Sequence, residues 1–226
     1  MMQFRTKEEQ VADFLREGII SGRYPRGARL KQQEIATMLN TSITPVREAL
    51  KLLAAEGYVL GDSYRGATVA PFDIEASSEV QSLRILLETQ LVKGAVERVT
   101  GEDIAELKVL AGEFAGAFDA GDNEATRAAN YRFHHRLFEI AAMPQTLHFV
   151  QILWARYPFD LINRLSGRVS RAADEHDEML AALIAGDSAA AMLATRRHIE
   201  AGYDELRRSV ALDAASARGG PTPREN

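Results

Sequence analysis

At 226 residues, 46% apolar and 26% charged, the chain is long enough for two folded domains and too apolar for wholesale disorder. It contains no cysteine, which excludes disulfides and thiolate metal sites, and no apolar run near the ~18 residues of a membrane span. The net charge of −5 divides unevenly: residues 1–72 hold ten Lys/Arg against eight Asp/Glu, the remainder seventeen against twenty-four. A mildly basic first part thus precedes an acidic second, and any nucleic-acid contact has to come from local clustering of cations. The first ten residues lack the basic-then-apolar order of an export signal, so a cytoplasmic protein is expected.

Thr6 and Glu9 have the spacing of a capping box, and Val11, Phe14, Leu15 and Ile19 follow at helical period, predicting a first helix that runs to Ser21. Gly22 and the turn Tyr24-Pro25-Arg26-Gly27 stop it. A short helix is expected over 32–39, with Ile35, Ala36 and Leu39 inward. Thr44 is suited to cap a third helix with Pro45 at its first position, Val46, Leu50 and Leu53 inward, and Gly57 at its end. Residues 58–60 and 67–69 read as two strands joined by turn chemistry at Gly61-Asp62-Ser63 and Gly66. Three helices followed by a small hairpin predict a winged helix-turn-helix over 1–72.

Beyond the boundary at Pro71-Phe72-Asp73 only helices are expected, at about 74–99, 102–119, 123–142, 145–166, 171–185 and 188–212. Residues 213–226 lack apolar period and are expected to form a disordered tail. The predicted fold is mainly α, a winged helix-turn-helix at residues 1–72 plus an antiparallel all-α bundle of six to seven helices at residues 73–212.

Gly22-Arg23-Tyr24-Pro25, then Thr44-Pro45-Val46-Arg47-Glu48-Ala49-Leu50, then Glu56-Gly57 and Arg65-Gly66 resemble the GntR family of bacterial regulators over nearly all of residues 8–72. The resemblance implies DNA contact by Gln33, Ser42, Ile43, Thr44 and Arg47, with Arg65 and Gly66 at the wing tip. A helix N-terminus carries orphan N–H groups and partial positive charge, so Thr44 and Arg47 are placed to meet phosphates or base edges. Two positions depart from the family: Ile43 stands where Arg usually precedes Thr-Pro, and Gln33 where many members carry Arg. Because Arg bonding to guanine is the commonest specific contact, an altered operator is expected. Ile43 suits a thymine methyl and Gln33 an adenine.

The second part resembles the FadR C-terminal domain (FCD) subfamily. Arg84 and Glu88 keep the R-x-x-x-E order of its first helix, which is also simply an i,i+4 ion pair. Asn130 and His134 lie one turn apart, and His176 and His198 sit on two further helices. Many FCD domains bind metal through Asp and three His in this order, so the resemblance implies a divalent ion, zinc foremost with nickel or manganese as alternatives, held by Asn130, His134, His176 and His198. Asn in place of Asp brings no negative charge. The resemblance further implies a small effector, often a carboxylate, with Arg84 as its partner and Arg164 or Arg168 as secondary candidates. It also implies a homodimer on a palindromic DNA operator, usually as a repressor. A metal-independent sensor of this fold and a hydrolytic His-metal enzyme are the alternatives. Against the enzyme, there is no H-E-x-x-H spacing, and Glu175 beside His176 is expected to point off-site because adjacent helical residues diverge by about 100°.

Overall fold

The computed structural model describes residues 6–61, 66–159 and 168–218. Helix α1 (Lys7–Ile20) opens on the expected capping box: Glu9 N–H donates to Thr6 Oγ1 at 3.3 Å, and Thr6 N–H to Glu9 Oε2 at 2.8 Å. Helices α2 (Gln32–Met38) and α3 (Ile43–Glu56) follow, and Val46, Ala49, Leu50 and Leu53 of α3 are fully buried against Val11, Leu15 and Ile19 of α1. Helix α3 begins two residues earlier than expected. Ser42 is its N-cap, so Thr44 and Pro45 lie within the first turn, where Pro still removes only an orphan N–H. Gly57 ends it in the left-handed conformation at φ +88°.

Among the described residues the sheet has three strands. Strands β2 (Val59–Leu60) and β3 (Ala67–Val69) match the expected hairpin, and β1 (Arg29–Leu30) adds antiparallel to β3, in the order β1-β3-β2. Arg29 pairs with Thr68 and Leu30 with Ala67. A two-residue strand carries no readable period, which is why it escapes a pattern search.

The second half holds six helices among the described residues: α4 (Ser77–Val96), α5 (Gly101–Asp119), α6 (Asn123–Ile140), α7 (Pro144–Ala155), α8 (Arg168–Ala185) and α9 (Ser188–Arg218). Helix α4 starts late because the Asp73 carboxylate first accepts the N–H groups of Glu75 and Ala76 in a local turn. Helix α7 ends at Ala155, well short of the expected 166. Pro158 disfavours helical backbone at Tyr157, and residues 160–166 lie outside the described ones. Helix α9 continues through 213–218, the first part of the expected tail, over the helix-favouring Ala-rich segment; residues 219–226 are outside the described ones. None of the described helices is long and apolar enough to cross a membrane.

One hydrophobic core runs through both halves, from Leu15 and Leu50 to Phe133, Leu137, Trp154 and Met179. Polar contacts cross the same boundary. Arg26 donates to the carbonyls of Ala70, Ala155 and Tyr157, each at 3.1 Å, and the Tyr58 hydroxyl donates to the Gln151 carbonyl at 2.8 Å. Arg132 pairs with Glu17 at 2.7 Å and Arg23 with Glu124 at 2.8 Å, joining α6 to α1 and the turn after it. Arg16 of α1 meets Glu56 of α3 through two guanidinium nitrogens, both groups buried, at 2.8–3.1 Å.

Two glycines separate two causes of strain. A Cβ at Gly57 meets nothing within 4 Å, so Gly57→Ala costs only its left-handed backbone, roughly 1 kcal/mol. A Cβ at Gly18 falls 2.6 Å from Tyr24 Cε2, so Gly18→Ala overpacks α1 against the turn and costs about 1–3 kcal/mol. Urea unfolding of both variants should rank Gly18→Ala as the more damaging.

Candidate functional site

Helix α6 places Asn130 and His134 on one stripe, α8 contributes His176, and α9 contributes His198. The three imidazoles are buried, and one nitrogen of each lies within 4.8 Å of the others. His134 Nε2 and His176 Nε2 are 3.1 Å apart. Phe133 stacks on the His176 ring at 4.3 Å between centroids, and Phe114 meets it edge-on at 4.8 Å. The rings are therefore held in orientation by packing as well as by their own contacts.

Glu175 is where the sequence expectation fails. It does not point away from the site: its Oε2 lies 2.7 Å from His198 Nδ1. An ionised carboxylate only accepts, so Nδ1 carries the proton and Nε2 presents a lone pair. The angular rule for neighbours on one helix concerned Glu175 and His176 only, and the partner of Glu175 is on a third helix, α9. A carboxylate that fixes a histidine tautomer from behind is the usual support of a metal-ligating imidazole. The donor set fits a late divalent ion: two nitrogens each 2.0–2.1 Å from a tetrahedral zinc lie roughly 3.3 Å apart, close to the separation of His134 and His176. His135 and His148 stay outside the cluster. His135 Nε2 is 3.1 Å from Gln151 Nε2, and the His135 ring lies 5.5 Å from that of Tyr131.

Beside His198 and Asn130 lies a cavity of about 50 Å³, bordered also by Arg84, Arg127, Tyr157 and Phe159. That is room for a few waters or a small anion. Arg84 is at once the buried i,i+4 partner of Glu88, at 2.7 Å, and a wall of this cavity. Its guanidinium carbon lies 4.3 Å from the Tyr157 ring centroid, and Trp154 Nε1 donates to the Glu88 carboxylate at 2.8 Å. Burial works against the Arg84 charge, yet Glu88 and Tyr157 hold its pKa above the ordinary arginine value. Arg164 lies outside the described residues, and only the backbone of Arg168 is described, at the start of α8.

On the other half, Gln33, Ser42, Ile43 and Thr44 are exposed, the last three around the N-terminus of α3, and Arg47 is half-buried one turn further on. Gly66 sits at φ +105°, and a Cβ there would lie 3.2 Å from Arg29 Nε. The left-handed backbone favours glycine there, and a side chain would also have to push the Arg29 guanidinium aside by a few tenths of an ångström. Arg65 lies outside the described residues. Arg29, exposed beside the wing, has no flag in the linear pattern and comes into view only through β1.

An exposed helix N-terminus beside a three-stranded wing, fused to a helical bundle with a lined polar cavity, defines a DNA-binding transcriptional regulator. Residues 7–69 match the bacterial regulatory proteins of the gntR family and residues 79–201 match the FCD domain. The chain belongs to the gntR family, with an FCD domain as its second half. It is 30% identical to the HTH-type transcriptional regulator McbR of Escherichia coli K12, over 79% of this chain and 82% of that protein. It is also 30% identical to a probable D-xylose utilization operon transcriptional repressor of Paenarthrobacter nicotinovorans, over 87% of each. The solved structure of E. coli McbR/YncC superposes with a TM-score of 0.78 at 26% identity, over 92% of this chain and all of that one. These relatives are regulators, and this chain is not an enzyme.

The Arg84–Glu88 pair supplies a stability prediction. Glu88→Ala leaves a cation buried without its carboxylate and strips the Trp154 indole of its acceptor, so unfolding free energy should fall by about 3–5 kcal/mol. Chemical denaturation followed by Trp154 fluorescence measures it, since Trp154 is the sole tryptophan.

Proposed function

We propose that this regulator is a repressor whose DNA affinity is set by a small carboxylate, bound beside a zinc ion held by His134, His176, His198 and Asn130. The observation that carries this reading is the convergence of three buried imidazoles, one of them backed by Glu175. When bound, the ion would supply a positive centre that can expand its coordination to take an anion. His198 is oriented by Glu175, Asn130 offers an amide oxygen, and Arg84 borders the space where a carboxylate would lie. Asn130 in place of Asp lowers the charge of the donor set, so the metal is exchangeable, and nickel or manganese can substitute for zinc. Repression fits the printed description of the Paenarthrobacter relative. The protein acts in the bacterial cytoplasm as a homodimer, matching the two-fold symmetry of a palindromic operator.

Elemental analysis of protein purified without chelator should find one zinc per chain. Chelation should lower the melting temperature, because a ligand bound only to the folded state stabilises by about 2.7 kcal/mol at a hundredfold excess over its dissociation constant. Glu175→Gln should weaken zinc binding by roughly 10–100-fold, and His176→Ala by more. Wild-type stability indifferent to both zinc and chelator would instead favour a metal-independent sensor, in which His134 and His176 simply share a proton.

On DNA, Gln33, Ser42, Ile43, Thr44 and Arg47 read or clasp the major groove, and Arg65 and Gly66 touch the adjacent backbone. Arg47→Ala should cost about 1–3 kcal/mol of specific affinity at fixed salt. Operators selected from random DNA should lack the guanine-rich consensus of relatives that carry Arg at positions 33 and 43. Recovery of that consensus would overturn the roles given to Gln33 and Ile43.

A further inference from the structure

Helix α1 has no basic residue of its own in its last turn. A helix C-terminus favours a cation, because its last carbonyls carry partial negative charge. The cation comes from the other half of the molecule: Arg127 of α6 donates from Nε to the Ser21 carbonyl at 2.5 Å, and Ser21 is the fully buried C-cap of α1. The next residue, Gly22, is at φ +83°, and a Cβ there would lie 3.1 Å from Arg127 Nη2. The backbone of the DNA-binding half is therefore shaped to lie against this guanidinium.

The same Arg127 borders the cavity that holds Asn130 and His198. Residues 127, 130 and 134 are three and four apart, so one stripe of α6 carries the side chain that clasps α1 and two of the candidate metal ligands. Arg127 thus belongs to both surfaces at once.

Resting on the carboxylate reading above, we infer that Arg127 is the residue that couples effector to DNA binding, a guanidinium contested between the Ser21 carbonyl and the carboxylate of the ligand. The magnitudes decide the contest. A guanidinium–carboxylate contact is charge-assisted at both ends and bidentate, roughly twice as strong as a bond to a neutral carbonyl. An anion in the cavity draws Arg127 off Ser21 and strips α1 of its C-terminal cation. The contact between α1 and α6 loosens, and two half-sites then meet recognition helices whose spacing is no longer fixed. Thermodynamic reciprocity requires that DNA in turn weaken the binding of the acid.

The test uses the full chain loaded with zinc and a panel of small acids: acetate, pyruvate, lactate and succinate. Trp154 fluorescence reports cavity occupancy, because its indole is bonded to the carboxylate that holds Arg84. Deuterium exchange over residues 17–26 reports the clasp, because the N–H groups of Ser21, Gly22 and Tyr24 bond back to Glu17, Ile19 and Gly18 there. In the wild type, an acid that changes Trp154 emission should speed exchange over 17–26. In Arg127→Gln, exchange should be fast from the start and insensitive to the acid, and acid affinity should fall at least about tenfold. Arg127→Lys should keep part of the affinity and restore part of the protection. A merely structural role would raise exchange without touching acid affinity. If the acid binds Arg127→Gln as tightly as wild type, or occupies the wild-type cavity without altering exchange, the coupling role is overturned while the effector reading stands. If no acid perturbs Trp154, the carboxylate reading fails and the coupling role falls with it.

Discussion

Helix α6 is the constraint on which the rest depends. Its period of 3.6 residues gives one stripe, through 127, 130 and 134, to the cavity and the histidine cluster beside it. A neighbouring stripe, through Glu124, Arg132 and His135, goes to α1 and to the space between the halves. Because both stripes lie on one rigid cylinder, the distance between the histidine cluster and the DNA-binding half is set by covalent geometry rather than by a linker. A rotation of α6 that moves one stripe moves the other. A signal passed between the two surfaces would not require a chain of loosely coupled residues, since a single element borders both.

Two buried ion pairs anchor that element's surroundings, and they do different things. Arg16–Glu56 joins α1 to α3 across forty residues of sequence, fixing the recognition helix against the helix that α6 contacts. Arg84–Glu88 lies within α4 and by itself fixes nothing between helices. Its reach comes from the Trp154 indole and the Tyr157 ring packed on it. A buried pair contributes little net stability compared with an apolar replacement, because desolvation offsets most of the attraction. Breaking one is costly, so each pair specifies one arrangement more than it stabilises it.

The sequence carried the winged helix-turn-helix almost residue by residue, because helix period, capping residues and left-handed glycines are local signals. Thr6–Glu9 and Gly57 appear in the structure as read. What escaped was decided by tertiary contact. Strand β1 is too short for a pattern and exists because β3 lies beside it. Glu175 was assigned to the wrong side because its partner approaches from α9, and no rule about neighbours on one helix contains that helix. The early end of α7 was legible at Pro158 and was missed by following apolar period past a residue that forbids it. Asn130, His134, His176 and His198 came from the resemblance to FCD domains, and the structure brings one nitrogen of each of the three histidines within 4.8 Å of the others. Arg127 was legible only as a position on their stripe, because its partner is a main-chain carbonyl with no side-chain signature.

The fan of bonds from Arg26 to the carbonyls of Ala70, Ala155 and Tyr157 bears on how such regulators can be recombined. A hinge at Pro71 would let any DNA-reading half be spliced to any sensing half, and the chimera would fold with each part indifferent to the other. Here the splice point is stapled to the end of α7 by a side chain from the opposite half. A graft of the DNA-reading half carries along an obligation to match two main-chain oxygens it does not encode, those of Ala155 and Tyr157. New regulators built from this scaffold therefore inherit their compatibility from the seam between the halves. The turn that contains Arg26 should travel with α7, whichever recognition helix is installed ahead of it.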